Sequence, residues 1–281
     1  MSAYTLYQVD AFTKTRFTGN PAGVVPDARG LSDAQMQHIA RELNNSETAF
    51  LFPPDDATCD AVIRYFTPRA EVPVCGHATI AALHTKAVEE QLGSCVLRYK
   101  TGIGVLPVEI RKTDHDYTIA MTQGPFTLGA PLTPAHRETL LAALGLTNDD
   151  LIPGCPVQIA STGYGKVMVG VSNRDTLHRL TPSMAQLADL SGRIDCNGYC
   201  VFTLDAEAGY NAHVRVFAPV SGIPEDPVTG NANGPLAAYL LHHKILEPAG
   251  DRFQFRARQG EAMGRPGTIE VTVTVKDEKP H

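Results

Sequence analysis

Three short segments of this 281-residue chain carry side chains whose types and spacing suit chemistry at carbon. The first is "NNSETAFLF", residues 44–52. As a strand it sets Glu47 on one face with Ala49 and Leu51, and Thr48, Phe50 and Phe52 on the other. A lone carboxylate in such company loses hydration and suits a general base or acid at neutral pH. It could equally be a strand-end group that meets solvent or caps a neighbour. The second is "VPVCGHATIAALH", residues 72–84, with Cys75, Gly76 and His77 at the start of a helix. A thiol there feels the positive end of the helix. An imidazole there can shuttle a proton or donate to a developing oxyanion. The plainer alternatives are a small apolar filler and a structural imidazole. The third is "DPVTGNANGPLAAYL", residues 226–240, a polar loop running straight into an apolar stretch of helical spacing. Free N–H groups at such a helix start attract an anion. Gly230 and Asn231 suit close backbone approach to a carboxylate, and Asp226 either caps the loop or holds a catalytic group.

Other chemistries find no support. "TGNANGP" lacks the Gly-Lys-Ser/Thr ending of a phosphate loop, and "GIG" at 102–104 opens no helix. No HExxH or clustered His/Cys set occurs, so neither a metal nor a cofactor is implied. Cys59, Cys75, Cys95, Cys155, Cys196 and Cys200 form no CxxC pair. Reduced, mostly buried thiols are the reading for a chain this long and apolar.

The elements that must position these groups alternate short strands with helices. Strands are expected at "YTLYQVDAF", "SETAFLF", "AVIRYFTP", "CVLRYK", "GVLPVEIR" and "DYTIAMT". The stretch "LSDAQMQHIARELN" is expected to be a helix, with Ser32 as cap, Gln35 completing a capping box, and Met36, Ile39, Ala40 and Leu43 as its apolar stripe. Another runs from about Ala78 to Glu90. In the second half, Thr133-Pro134 and Thr181-Pro182 each open a helix. Strands follow near "PVQIAS", "KVMVGVS", "CVFTL", "HVRVFAP", "FQFRA" and "IEVTVTV". So many strands with so few helices disfavour a doubly wound parallel sheet. The Gly- and Pro-rich "QGPFTLGAPLTP", 123–134, marks a domain joint.

The second and third segments align with each other. Arg64-Tyr65-Phe66-Thr67-Pro68 matches Arg215-Val216-Phe217-Ala218-Pro219, and Pro73-Val74-Cys75-Gly76-His77-Ala78 matches Pro227-Val228-Thr229-Gly230-Asn231-Ala232. Strand, loop and helix start recur in one order, which indicates an internal duplication. A pseudo-two-fold arrangement would point both helix starts into one cleft.

Length favours two domains, and 43% hydrophobic residues suffice for real cores. A net charge of −6 with no basic cluster disfavours nucleic acid and membrane surfaces as partners. The start "MSAYTLYQVDAF" shows no signal-peptide pattern, and no apolar run is long enough to span a bilayer. The expectation is a soluble, cytoplasmic protein.

Four motifs taken in order, "YQVDAFTKTRFTGNPAGVV", "ARELNNSETAFL", "IRYFTPRAEVPVCGHATIAA" and "EDPVTGNANGPLAAYLLHHK", resemble the phenazine-biosynthesis PhzF family, in its YddE-like branch. The likeness covers nearly the whole chain. It implies an α+β fold of two pseudo-symmetric domains, each a curved mixed sheet or barrel around a central helix, as in diaminopimelate epimerase and proline racemase. The domains would be residues 1–122 and 123–281, the terminal segment returning to the first, with the active site in the cleft between them. It further implies a homodimeric, cofactor-independent isomerase of a small carboxylated metabolite. Glu47 would transfer the proton, His77 and Asp226 would assist, and Cys75, Gly76, Gly230 and Asn231 would line the substrate.

Three departures bear on function. "DPVTGNA" stands where PhzF itself resembles "DPATGSA", so Asn231 replaces a serine contact. Cys75 is a thiol that PhzF lacks, and epimerases of this fold use one thiol per helix start. A thiol-dependent racemase is therefore the second reading, although the matching position is Thr229. A binding protein that keeps the fold without the chemistry is the third. Finally, "KDEKPH" stands where the family continues into a further strand, which leaves a sheet edge expected to pair with another chain.

Overall fold

The computed structural model describes residues 3–276 and the backbone of 279–280. Asp277, Glu278 and His281 of the terminal "KDEKPH" lie outside the described residues. The chain divides into two compact units, one ending at Thr122 and the other starting at Gln123.

In the first unit the strands are β1 (Tyr7–Ala11), β2 (Asn20–Val25), β3 (Thr48–Phe52), β4 (Ala61–Phe66), β5 (Glu71–Val72), β6 (Cys95–Thr101), β7 (Gly104–Lys112) and β8 (Tyr117–Met121). Helix α1 (Asp33–Leu43) separates β2 from β3, and α2 (Gly76–Glu89) separates β5 from β6. The sheet order is β1-β2-β3-β4-β6-β7-β8, with β5 paired to β4. Helix α2 packs against β1, β2 and β3 and also against β8 at the far end of that order. A sheet whose two ends both touch one helix must curl around it.

Burial explains why α2 is the axis. Its Ala78, Ala81, Ala82 and Leu83 pack with Ala22, Val24, Ala49, Leu51, Ile63 and Tyr65 from the strands. Small residues on the helix let the sheet close tightly. The opposite face of β3 and β4 meets α1, where Met36 and Ala40 pack on Phe50 and Phe66. Helix α1 starts as its sequence requires: the Ser32 side chain accepts from Gln35 N, and the Gln35 side chain accepts from Ser32 N.

The second unit holds β9 (Thr127–Pro131), α3 (Pro134–Leu144), β10 (Gln158–Ser161), β11 (Lys166–Gly170), α4 (Arg174–His178), α5 (Met184–Ile194), β12 (Tyr199–Thr203), β13 (Ala212–Ala218), β14 (Ile223–Asp226), α6 (Gly230–His242), β15 (Arg252–Gln259), β16 (Gly267–Lys276) and β17 (Lys279–Pro280). Its order is β17-β16-β15-β13-β12-β11-β10-β9, with β14 paired to β13. Helix α6 lies against β10 at one side of the sheet and against β16 and β17 at the other. Helices α3 and α5 cover the outer face through Leu140, Leu144, Leu187 and Leu190 on Val167, Val169 and Val201. Both units are thus curled mixed sheets around a helix, the α+β class.

The duplication extends to strand direction. From β1 to β8, successive pairs run antiparallel, parallel, antiparallel, then parallel into β6, and antiparallel twice more. From β10 to β17 the directions repeat in the same sequence. The side branches match too, β5 on β4 and β14 on β13, both antiparallel. So do the braces. Arg64 makes two hydrogen bonds of 2.7 Å to Glu71, and Arg215 makes two of 2.9 and 2.8 Å to Glu225. Each guanidinium also lies over a phenylalanine two residues on, at 5.2 Å from Phe66 and 5.1 Å from Phe217.

Some expectations need correction. The joint at 123–134 contains strand β9, which pairs with β10. Strand β2 had no local signal, because "NPAGVV" carries proline and glycine, yet it is paired on both sides, by β1 and β3, and buried. Helix α5 starts two residues after Pro182, with Ser183 at its cap position. The terminal strands stay in the second sheet, since β16 pairs with β15 from Gly267 to Thr274. A two-residue β17 does follow, pairing with Val275 and Lys276, where its counterpart β8 spans five residues. Among the described residues no helix is long and apolar enough to cross a membrane.

Candidate active site

Glu47 sits one residue before β3, and its carbonyl still accepts from Gly23 N at 3.2 Å. This fixes its side chain on the face of Ala49 and Leu51, toward α2. The carboxylate is 14% exposed and lies 3.6 Å from His77 Nε2. Ser46 Oγ reaches the same nitrogen at 3.3 Å. The other ring nitrogen, Nδ1, is 3.4 Å from Cys75 Sγ. Glu47, His77 and Cys75 therefore form one chain of titratable groups with the imidazole in the middle.

Helix α2 delivers two of the three. Cys75 is its cap residue and makes no side-chain capping bond to the helix; its thiol faces the imidazole. Gly76 and His77 are the first two helical residues, whose N–H groups have no partner within the helix. Gly76 is exposed. Thr79 Oγ1 donates to the Cys75 carbonyl at 2.7 Å and meets Tyr65 Oη at 2.6 Å, locking the cap residue to β4.

In the second unit, Thr229 takes the cap position of α6, and Gly230 and Asn231 are its first residues. Asn231 is exposed and Gly230 partly so. Thr229 Oγ1 donates to Asp226 Oδ2 at 2.5 Å, which ties the cap to the carboxylate instead of to the helix. Asn233 Nδ2 donates to the Thr229 carbonyl at 3.0 Å, repeating the Thr79–Cys75 bond four residues back. The sequence singled out each of these positions, and the structure brings Glu47, Cys75 and His77 together in one unit and Asp226, Gly230 and Asn231 in the other.

Three residues carry more of the site than local sequence showed. Gln259, 1% exposed, donates to the Asp226 carbonyl at 2.8 Å and to Thr229 Oγ1 at 3.0 Å. Its carbonyl oxygen accepts from Asn233 Nδ2 at 2.9 Å and Thr229 N at 3.2 Å. Gln123 bridges Thr162 Oγ1 (2.5 Å) and the Gly230 carbonyl (2.9 Å). Lys166 is buried at 3% exposure, and burial lowers its proton affinity while Cys196, Cys200 and Asp226 pull the other way. Gln259 is 30 residues from Thr229, so no local motif could reveal it; Lys166 ends "STGYGK", a Gly-rich turn like the others.

Among the described residues, three groups of donor atoms converge closely enough to meet one ion: Glu47/Cys75/His77, His178/His213/Glu261 and Asp55/Asp56/Cys59. The last is engaged by Lys100, and both His213 nitrogens bond carboxylates, Glu261 at 2.5 Å and Glu207 at 2.6 Å.

The phenazine biosynthesis-like (PhzC-PhzF) family profile matches residues 9–281. The chain is 52% identical over 278 residues to an uncharacterized isomerase, CA_C3446, of Clostridium acetobutylicum, covering 99% of this chain and 92% of that one. It is 33% identical over 262 residues to the trans-2,3-dihydro-3-hydroxyanthranilate isomerase of Pseudomonas fluorescens, covering 93% and 87%. Among solved structures, a Bacillus anthracis protein of the PhzF family matches with a TM-score of 0.90 at 29% identity, covering 100% and 94%. A hydroxyproline epimerase from Agrobacterium vitis shares the fold at 12% identity and TM-score 0.57, covering 96% and 83%. Matched along almost its whole length, the chain belongs to the phenazine biosynthesis-like family of isomerases.

Proposed function

We propose that this isomerase acts on a small carboxylated metabolite by proton transfer at carbon, with Glu47 as the transferring group. The observation that carries the reading is the Glu47 carboxylate, 14% exposed and 3.6 Å from His77 at the start of α2. A carbon next to an unsaturated or carbonyl group is acidic enough for a positioned carboxylate to deprotonate without a cofactor. His77 and Asp226 stabilise the charge that develops on the substrate and help return the proton. The exposed starts of α2 and α6 supply N–H groups for the substrate carboxylate. That both units serve one substrate is part of the proposal.

The test is incubation in D₂O with a panel of carboxylated metabolites, starting from trans-2,3-dihydro-3-hydroxyanthranilate because a relative is named for it. Wild-type protein should place deuterium at carbon in at least one compound, and Glu47→Gln should lower that rate about 10²–10⁴-fold. Full activity in Glu47→Gln removes Glu47 from the mechanism. Asn231 stands where the PhzF motif has serine, so the panel extends beyond the phenazine precursor.

A thiol-dependent epimerase is the second reading, favoured by the 3.4 Å approach of Cys75 Sγ to His77. Its weakness is Thr229, a hydroxyl far too weakly acidic to serve as the second proton carrier. Cys75→Ser should abolish turnover on that reading and leave it largely intact on the first.

A further inference from the structure

The two sheets match in register down to the position of the candidate base. Gly23 N donates to the Glu47 carbonyl at 3.2 Å where β2 begins to run beside β3. Val167 N donates to the Gly198 carbonyl at 2.9 Å where β11 begins to run beside β12. The pairs that follow stay in step: Gly23 with Thr48 and Val167 with Tyr199, then Thr48 with Phe66 and Tyr199 with Phe217. Position 198 is thus the second unit's counterpart of position 47, and 166 is the counterpart of 22.

The residue types at these positions are exchanged. Where the first unit has Ala22 beside Glu47, the second has Lys166 beside Gly198. A side chain at 198 is shut out, because its Cβ would lie 2.6 Å from the Phe217 carbonyl oxygen. The same Cβ would lie 3.3 Å from Lys166 Cδ, so the lysine stem runs beside the position that matches Glu47 in the other unit. The lysine is poorly satisfied as a structural cation. It is 3% exposed, and an ammonium carries three donors. Among the described residues its hydrogen bond is to the Gly165 carbonyl at 3.5 Å, the limit of such a bond, with the Tyr164 ring 5.1 Å away. Cys196, Cys200 and Asp226 are the titratable groups around it. A buried, under-bonded amine costs stability and is the kind of lysine that serves acid–base chemistry.

We infer that Lys166 is the acid–base residue of the second unit, the counterpart of Glu47, so that the isomerase works with a carboxylate and an amine. The inference rests on the proton-transfer reading above. The Glu47 carboxylate takes a proton from the substrate carbon, and the electron pair moves into the adjacent unsaturated group. The Lys166 ammonium, with the Asp226 carboxylate acting on it, delivers a proton to the carbon where that pair re-forms a bond, and is left as the neutral amine. Glu47 then loses its proton to solvent and Lys166 regains one, so turnover consumes no proton.

Two measurements test this. The first needs no substrate: with lysine labelled at Cε, the Lys166 signal is assigned by its loss in Lys166→Arg. It should titrate at lower pH than the other lysines; titration together with them overturns the inference. The second is the D₂O assay with Lys166→Met and Lys166→Arg. Both should lose about 10²-fold or more in product formation while staying folded, with Lys166→Met melting no lower than wild type, and added ethylamine should restore part of the rate to Lys166→Ala. A purely structural lysine would be replaced by arginine and would show no amine rescue, and either result contradicts the role. Full activity in Glu47→Gln would instead sink the reading beneath, while the titration still judges Lys166 on its own.

Discussion

Four hydrogen bonds converge on the Gln259 amide, and through them the Asp226–Thr229 loop keeps its shape. Replacing Gln259 by Leu leaves several buried polar groups without partners, at roughly 1–3 kcal/mol each. The urea midpoint of Gln259→Leu should fall well below that of wild type, and an unchanged midpoint would show the brace to be dispensable. The thiols divide in the same residue-by-residue way. Burial pushes Cys155 up to about 11 and Cys200 up to about 12. Cys75 instead faces an imidazole at a helix start. Iodoacetamide at pH 8 should therefore spare Cys155 and Cys200 in the native protein, as peptide mass mapping would reveal; early labelling of either would contradict their burial.

Strands and helices place these side chains by a scheme used twice. In both units an arginine on the fourth core strand clamps a glutamate on the side strand, just ahead of the loop that enters the axial helix. The two clamps differ in burial. The Arg215–Glu225 side chains are 8% and 15% exposed, and Arg215 also donates to the Leu177 and Leu180 carbonyls at 3.0 Å. Arg64 and Glu71 are 30% and 44% exposed. Arg215→Ala should cost about 3–5 kcal/mol because a buried carboxylate loses its partner. Arg64→Ala should cost about 1 kcal/mol or less. Equal losses in denaturant titrations would refute the distinction. Much of this scale was legible in the sequence, since the Arg-x-Phe repeat and the two helix starts align without gaps inside each block. The capping box of α1 was legible for the same reason: it is local chemistry. Strand β2 and the Lys166–Gly198 exchange were not, because strand pairing across dozens of residues gives them their meaning.

For the whole chain, the dependence of stability on pH should be set largely by the ion network on β13 and β15. His213 is buried, which opposes its charge, but bonds to Glu261 and Glu207 win and raise it above its ordinary value near 6.5. Arg258, Arg174 and His178 border the same carboxylates. The stabilisation from charged His213 is complete below about 6.5 and fades as pH rises through the higher folded value. Glu207 is lowered by its own backbone N–H and by His213, and Glu261 by His213 against the opposing effect of burial. Their contribution is present above the ordinary value of 4.5 and is lost as pH falls through the depressed folded values. Stability should thus form a plateau between these limits, and His213→Gln should flatten its alkaline edge. An alkaline edge of unchanged steepness in that variant would place the titrating group elsewhere.

Proton transfer at carbon by the half-buried Glu47 is tested most directly by deuterium incorporation. With a compound that wild-type protein labels in D₂O, Glu47→Gln should cut the initial rate of label uptake about 10²–10⁴-fold and leave the melting curve in place. Uptake at the wild-type rate by a folded Glu47→Gln protein would contradict it.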